Sequence, residues 1–290
     1  MSTQNASGRQ RRSVQSLLSM KKAGEKIVML TAYDYQIGSI LEASEVDIIL
    51  VGDSVANVFM GLRDTLPVTM ENMLYHTRSV TRAVRSVPVI GDMPFLSFQV
   101  SIDETVRNAG RFLKEAGAGG VKLEGTSDFC LAAIRRIIDA GIPVMGHIGL
   151  TPQSHNILGG YKVQGKTVKA AQKLLADAEK LQEAGVFSLV LENIPAEVAT
   201  EITKRLKIPT IGIGAGSECD GQVLVINDIL GLSGDFKPPF ARRYADLKST
   251  ISDAVGRFCG DVREGKFPAE DETSHLSEKN LRDFKKKIEK

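Results

Sequence analysis

The sequence predicts an α/β chain folded as a (β/α)₈ TIM barrel, with a helix before the first strand and a helical extension after the last. Three observations carry this. Short β-rich runs recur eight times between residues 27 and 227, and most are followed by a segment of helical period. The runs are also nearly continuous in apolar residues, as parallel strands buried on both faces must be.

The elements follow in order. Ser13 to Lys22, with Val14, Leu17 and Leu18, has the spacing of a short amphipathic helix. The strand runs are Ile27–Thr31, Asp47–Val51, Pro88–Gly91, Gly120–Leu123, Ile142–Gly146, Phe187–Leu191, Pro209–Ile213 and Val223–Asn227. Between them, Thr69 caps a helix through Met70, Met73, Leu74, Thr77, Val80 and Val84. The run Ser101-Ile102-Asp103-Glu104 is a capping box leading into Val106, Ala109 and Leu113. Leu131, Ile134 and Ile138 end at Gly141, Thr167 opens a helix that Gly185 stops, and Pro195 starts the next. An open doubly wound sheet predicts G-x-G-x-x-G after the first strand, where this chain has Thr31-Ala32-Tyr33-Asp34. The glycines of Gly212-Ile213-Gly214-Ala215-Gly216 read as a tight turn, or as an anion-binding nest near strands seven and eight.

At 290 residues the chain suits one large domain, here residues 13–268. Residues 1–12, with Arg9, Arg11 and Arg12, read as a disordered lead-in with a faint presequence character. Residues 269–290 read as a charged, solvated tail in which Leu281, Phe284 and Ile288 share one helix face. The 37 basic and 35 acidic residues are interspersed, which argues against nucleic acid or an anionic membrane and for a small-molecule partner. No apolar run reaches the ~18 residues of a membrane span. Cys130, Cys219 and Cys259 are distant and odd in number, which speaks for a reducing, cytoplasmic setting and against structural zinc.

Barrel sites lie at the C-terminal ends of the strands, and here those ends are ionisable: Gly52-Asp53-Ser54, Gly91-Asp92, Lys122-Leu123-Glu124, His147 and Glu192. Alternation along the fourth strand points Lys122 and Glu124 the same way. Asp53, Asp92 and Glu124 form an oxygen-only donor set that favours Mg²⁺ over zinc. Three carboxylates, one lysine and one divalent ion sum to zero charge, leaving room for an anionic substrate group, and without the metal repulsion should raise one carboxylate pKa. Glu192 is the candidate proton shuttle and His147 a supporting group. Ile148 to Lys166 reads as a polar, glycine-rich insertion, either a lid or a disordered loop, with His155, Lys162 and Lys166 as site groups or as solvated loop residues, and Val55 to Pro67 is a second candidate rim loop.

Six ordered motifs resemble the ketopantoate hydroxymethyltransferase family: Val51-Gly52-Asp53-Ser54, Gly91-Asp92-Met93-Pro94-Phe95, Val121-Lys122-Leu123-Glu124-Gly125, Gly146-His147-Ile148-Gly149-Leu150-Thr151-Pro152-Gln153-Ser154, Gly159-Gly160-Tyr161-Lys162-Val163-Gln164-Gly165 and the glycine run 212–216. The similarity spans about residues 13–268. It implies Mg²⁺-dependent transfer of a hydroxymethyl group from 5,10-methylenetetrahydrofolate to 3-methyl-2-oxobutanoate, giving 2-dehydropantoate on the route to pantothenate and coenzyme A. It also implies a homo-oligomer, a decamer in many bacteria. By the same resemblance Asp53 and Asp92 hold the metal and contact the keto acid with Ser54. Glu124 belongs to the metal site through water, Lys122 meets substrate oxygens, His147 lines the site and Glu192 is the proton acceptor. Asn193 departs from the small residue expected after that glutamate. Two other readings stay open, a Mg²⁺ barrel of the phosphoenolpyruvate-mutase and isocitrate-lyase kind and a barrel that binds a keto acid without catalysis. The first wants a cysteine in a rim loop, which this chain does not place there, and the second wants a lost metal acid, whereas all three are present.

Overall fold

The computed structural model describes residues 12–160, 162–233 and 238–289; Arg9, Arg11 and Tyr161 fall outside them. In chain order the elements are α1 (Val14–Ala23), β1 (Ile27–Thr31), α2 (Tyr35–Glu42), β2 (Ile48–Val51), α3 (Val55–Val58), α4 (Met70–Ala83), β3 (Val89–Asp92), α5 (Ile102–Ala116), β4 (Gly120–Glu124), α6 (Asp128–Asp139) and β5 (Val144–Gly149). There follow α7 (His155–Leu158), α8 (Val168–Ala184), β6 (Ser188–Glu192), α9 (Ala196–Arg205), β7 (Thr210–Ile213), β8 (Gly221–Leu224), α10 (Ile226–Leu230), α11 (Leu247–Arg263) and α12 (Glu278–Ile288). The eight strands are parallel to their neighbours and close in sequence order, β1 pairing with β8, so the predicted barrel is the observed one.

The expected N-caps form, although the box read at Ser101 is made only from the Ser101 side. Thr69 accepts the Asn72 N–H and Asn72 reaches back to Thr69, while Ser101 accepts the Glu104 N–H and Thr167 that of Ala170. Two layers of core result. Between sheet and helices lie residues such as Ile49, Met73, Phe112, Ile134 and Leu181. Inside the barrel Met29, Ile48, Leu50, Ile90, Met145, Val190 and Ile211 meet Leu17 and Met20 of α1. Helix α1 therefore plugs the N-terminal mouth, with Lys21 Nζ 2.7 Å from Asp220 Oδ2 just before β8.

Three expectations need correction. The eighth strand starts two residues earlier than read and ends at Leu224, since Gly221 pairs with Ile27 and the Ile226 N–H turns away from the ladder to Thr31 Oγ1. Asp220-Gly221 looks like a turn in sequence, but a side chain at Gly221 would press on Ile27 Cβ at 2.7 Å. The lead-in ends before Arg12, whose N–H reaches Ser86 O at 2.7 Å and whose Nε lies 3.2 Å from Asp47 Oδ1. Strand β5 runs on to Gly149 and Gln153 is buried, so the first part of the expected lid is built into the barrel rim.

Beyond β8 the chain changes character. Helix α11 buries none of its residues, and Leu281, Phe284 and Ile288 of α12 are exposed on the shared face their spacing predicted. Among the described residues no helix is long and apolar enough to cross a membrane.

Leu17→Ala should destabilise the fold by about 2–5 kcal/mol, because it empties the barrel floor. Leu281→Ala on exposed α12 should stay within about 0.5 kcal/mol. Denaturant unfolding followed by circular dichroism compares the two, and equal costs would contradict the plug.

Candidate active site

Parallel register sets the site. It places Asp92 beside Lys122, Glu124 beside His147 and Gly149 beside Glu192, so neighbouring strands deliver their terminal ionisable residues side by side. Asp53, Ser54, Asp92, Lys122, Glu124, His147 and Glu192 all line one cavity of about 1010 Å³ at this end of the barrel. The seven strand-end residues singled out from the sequence are thus in one place, whereas His155, Lys162 and Lys166 do not line the cavity.

The contacts are close. Lys122 Nζ lies 2.9 Å from Asp92 Oδ1 and 3.8 Å from Glu124 Oε1, and the Asp53 N–H donates to Asp92 Oδ2 at 3.2 Å. His147 bridges two acids, Nδ1 being 3.3 Å from Glu124 Oε1 and Nε2 3.2 Å from Glu192 Oε2. Lys122 Nζ also lies 3.3 Å from His147 Nδ1, and Glu124, shared by both cations, offsets their repulsion. Ser54 Oγ is held by the Tyr33 hydroxyl at 2.8 Å.

Burial and charge then divide the acids. Asp53 is pushed well above the usual carboxylate range, by burial first and by Asp92 and Glu124 after it. Repulsion was the expected cause, but desolvation is the larger one. Burial likewise raises Asp92, against the pull of Lys122. For Glu124 burial works upward too, yet contact with His147 and the charges of His147 and Lys122 outweigh it, and its pKa falls. His147 is opposed by burial and by Lys122, but its two carboxylate contacts prevail and carry it up to about 9. Lys122 is raised by the three carboxylates despite burial.

The donor chemistry fits a hard divalent cation. Asp53, Asp92 and Glu124 offer only carboxylate oxygens, and Glu124 Oε1 and Asp92 Oδ1 are buried against cationic groups alone, His147 and Lys122. The acids are not drawn into a ready-made ligand cluster among the described residues, and the Lys122 ammonium supplies part of the positive charge there.

The glycine run closes β7 and then bends, with Gly214 at φ 62° and Gly216 at φ 84°. Both line the cavity, and a side chain at Gly214 would meet the Phe240 ring at 2.7 Å.

The sequence profile of the family described as Ketopantoate hydroxymethyltransferase matches residues 11–270. The chain belongs to the ketopantoate hydroxymethyltransferase family. It is therefore a transferase, and the family's span agrees with the stretch over which the motifs run.

Similar proteins named 3-methyl-2-oxobutanoate hydroxymethyltransferase come from Chlorobium phaeobacteroides strain BS1, at 56% identity over 89% of this chain and 94% of that one, and from Pseudothermotoga lettingae, at 57% over 86% and 94%. One from Syntrophus aciditrophicus is 52% identical over 93% of this chain and 98% of its own. Among solved structures, a phosphonopyruvate hydrolase in complex with oxalate and Mg²⁺ superposes with a TM-score of 0.59 at 12% identity, covering 96% of this chain and 97% of that one. A 2,3-dimethylmalate lyase of the phosphoenolpyruvate mutase/isocitrate lyase superfamily gives 0.58 at 15%, covering 91% and 92%. At that identity the likeness is one of fold.

One site feature escaped the sequence reading of this family member, and one flagged departure finds its explanation. Gln153 lies beneath the rim with its amide on Asp53, although nothing in its neighbours' spacing separates it from a lid. Asn193 takes φ 49°, a left-handed conformation that asparagine tolerates better than most residues, and its carbonyl accepts the Gln164 N–H at 2.9 Å. The departure at this position is thus met by local backbone geometry.

Proposed function

We propose that this enzyme transfers a hydroxymethyl group from 5,10-methylenetetrahydrofolate to 3-methyl-2-oxobutanoate, with Mg²⁺, to give 2-dehydropantoate for pantothenate synthesis. The observation that carries the reading is the unbroken contact chain Glu192–His147–Glu124–Lys122–Asp92 on one cavity, in a family whose relatives bear the name of this reaction. The cavity's size supports two substrates. About 1010 Å³ stands at the upper end of the ~300–1,000 Å³ typical of small-molecule pockets, far more than a short keto acid fills. Beyond the charged floor its wall is apolar, with Leu150, Val163, Pro239 and Phe240, which suits a flat heterocycle.

The residues divide the work. Lys122 meets the keto acid's oxygens and, held charged among carboxylates, stabilises negative charge that develops there when C3 loses its proton. Glu192, the most exposed of the site acids, takes that proton, and His147 Nε2 orients it. Ser54 Oγ, fixed by Tyr33, is a further donor to the substrate. The one-carbon unit exchanges its two bonds to folate nitrogen for one to C3 and one to the oxygen of water, and the two nitrogens take up the proton lost from C3 and the proton released by water, leaving tetrahydrofolate. Asp53 and Asp92 would hold Mg²⁺ directly and Glu124 through water, and the ion when bound supplies Lewis-acid polarisation of the carboxylate and keto oxygens.

Assembly and setting complete the reading. Helix α11 carries Ile251, Val255, Phe258 and Val262 along one face, each between 47% and 55% exposed, and Val28 on the outer face of β1 is 46% exposed where a parallel barrel is normally covered. Both surfaces support a homo-oligomer; its decameric size rests on the family resemblance. The three free cysteines support a reducing compartment such as the cytoplasm.

Deuterium exchange at C3 of 3-methyl-2-oxobutanoate, followed by proton NMR with Mg²⁺ or EDTA, tests the chemistry. Exchange should need both enzyme and metal, and should disappear in Asp92→Ala together with Mg²⁺-dependent keto-acid binding in calorimetry. Unchanged affinity there would sink the metal assignment. Glu192→Gln should bind the keto acid normally but turn over at least about a hundredfold more slowly, whereas near-normal kcat would remove Glu192 from the mechanism. For assembly, sedimentation velocity should show an oligomer that Val255→Asp combined with Phe258→Asp breaks up, and a monomeric parent enzyme would refute it.

A further inference from the structure

We infer that Gln153 is a positioning residue that braces the acids of β2 and β4 from the rim of β5, and so sets the geometry in which Asp53 meets the cation. The inference rests on the metal site proposed above. Its evidence is the hydrogen bonding of one buried side chain.

Gln153 sits in the turn Pro152–Ser154 just after β5, 6% exposed. Its backbone N–H donates to Glu124 Oε2 at 3.1 Å, and its side-chain Nε2 donates both to Asp53 Oδ2 at 3.0 Å and to the Met93 carbonyl at 2.9 Å. Asp53 follows β2, Met93 follows β3 and Glu124 ends β4. One residue of the β5 rim thus ties three other strand ends together.

Chemistry fixes which way the amide points. Turning it over would set Oε1 against a carboxylate and a carbonyl, two acceptors, so Nε2 must face Asp53 and Met93. The consequence is that Oε1 is left buried without a hydrogen-bond partner, an unfavourable state in a protein interior. A group whose only task was packing would be better served by an apolar side chain of that shape. The amide is explained by the carboxylate it serves.

The bond donated to Asp53, from an amide itself anchored on the Met93 carbonyl, gives the carboxylate a preferred direction, and Asp53 N–H in turn fixes Asp92 Oδ2 at 3.2 Å. Donors behind a ligating carboxylate orient it, and their loss typically weakens metal binding ~10–100-fold. The same contacts tie the segment that follows β5, with Leu150 and Pro152 on the cavity wall, to the acids. Gln153 does not line the cavity, so it acts through Asp53 and Glu124.

The test is Gln153→Met, which keeps the length and removes the donor. Calorimetric titration of Mg²⁺ with 3-methyl-2-oxobutanoate present should show affinity weakened 10–100-fold, with the metal-free protein melting as the parent does. The keto-acid KM at saturating folate should rise by more than kcat falls, a split that a general loss of structure would not give. If Met at this position lowers the metal-free melt, Gln153→Glu carries the question. It has the same length, lacks the donor and adds a negative charge beside Asp53, which by charge alone would tighten a cation. Weaker binding in that variant supports misplacement of the acids, and tighter binding overturns it. Parent-like Mg²⁺ affinity in Gln153→Met overturns the inference while leaving the metal site standing. Absence of Mg²⁺ binding in the parent enzyme overturns both.

Discussion

The burial of Lys122 among Asp53, Asp92 and Glu124 is the constraint on which the upper half of the barrel depends. An ammonium this deep is tolerable only if carboxylates surround it, and the carboxylates are tolerable only because of it and of His147. None of these groups can be lost alone without stranding a charge. The parallel register makes the arrangement possible, since it sets the terminal residues of β3 and β4, and of β4 and β5, shoulder to shoulder. Stability at this end of the barrel is therefore given up for reactivity, and the apolar interior below, closed by Leu17 and Met20, is where the fold makes up for it.

That division explains what was legible in the sequence. The interior and outer layers announce themselves through period, because Ile49, Ile90, Val121, Leu189 and Ile211 can only be strand residues buried on both sides. The site acids announce themselves through position, because charged residues at the ends of such strands have no packing role. Lys122 and Glu124 were paired by alternation alone, and the structure puts them 3.8 Å apart. Their roles in catalysis came from the resemblance rather than from any of this.

What was illegible has physical causes. Gly221 begins a strand although Asp220-Gly221 has turn chemistry, because the close approach of β1 to β8 requires a residue without a side chain. Gln153 was absorbed into a lid because Ile148 to Lys166 is polar and glycine-rich throughout, and local pattern cannot show that its first residues are pinned by acids from strands thirty to a hundred positions earlier. Helix α11 has an ordinary amphipathic pattern, which in sequence promises packing within the chain. The pattern says that a face must be covered, not by which molecule.

The same logic bears on how the site divides acid from base. His147 lies between Glu124 and Glu192, and the two acids differ sharply in surroundings: Glu124 is enclosed and held by Lys122 and by Gln153, while Glu192 stands at the cavity's edge with a side chain 17% exposed. An acid committed to a structural charge network is a poor proton acceptor, because taking a proton would unbalance Lys122 and His147 together. Glu192 carries no such burden beyond its single contact with His147. The proposed division of labour, with Glu124 in the charge network and Glu192 as proton acceptor, therefore rests on environment alone, since the two side chains are chemically identical.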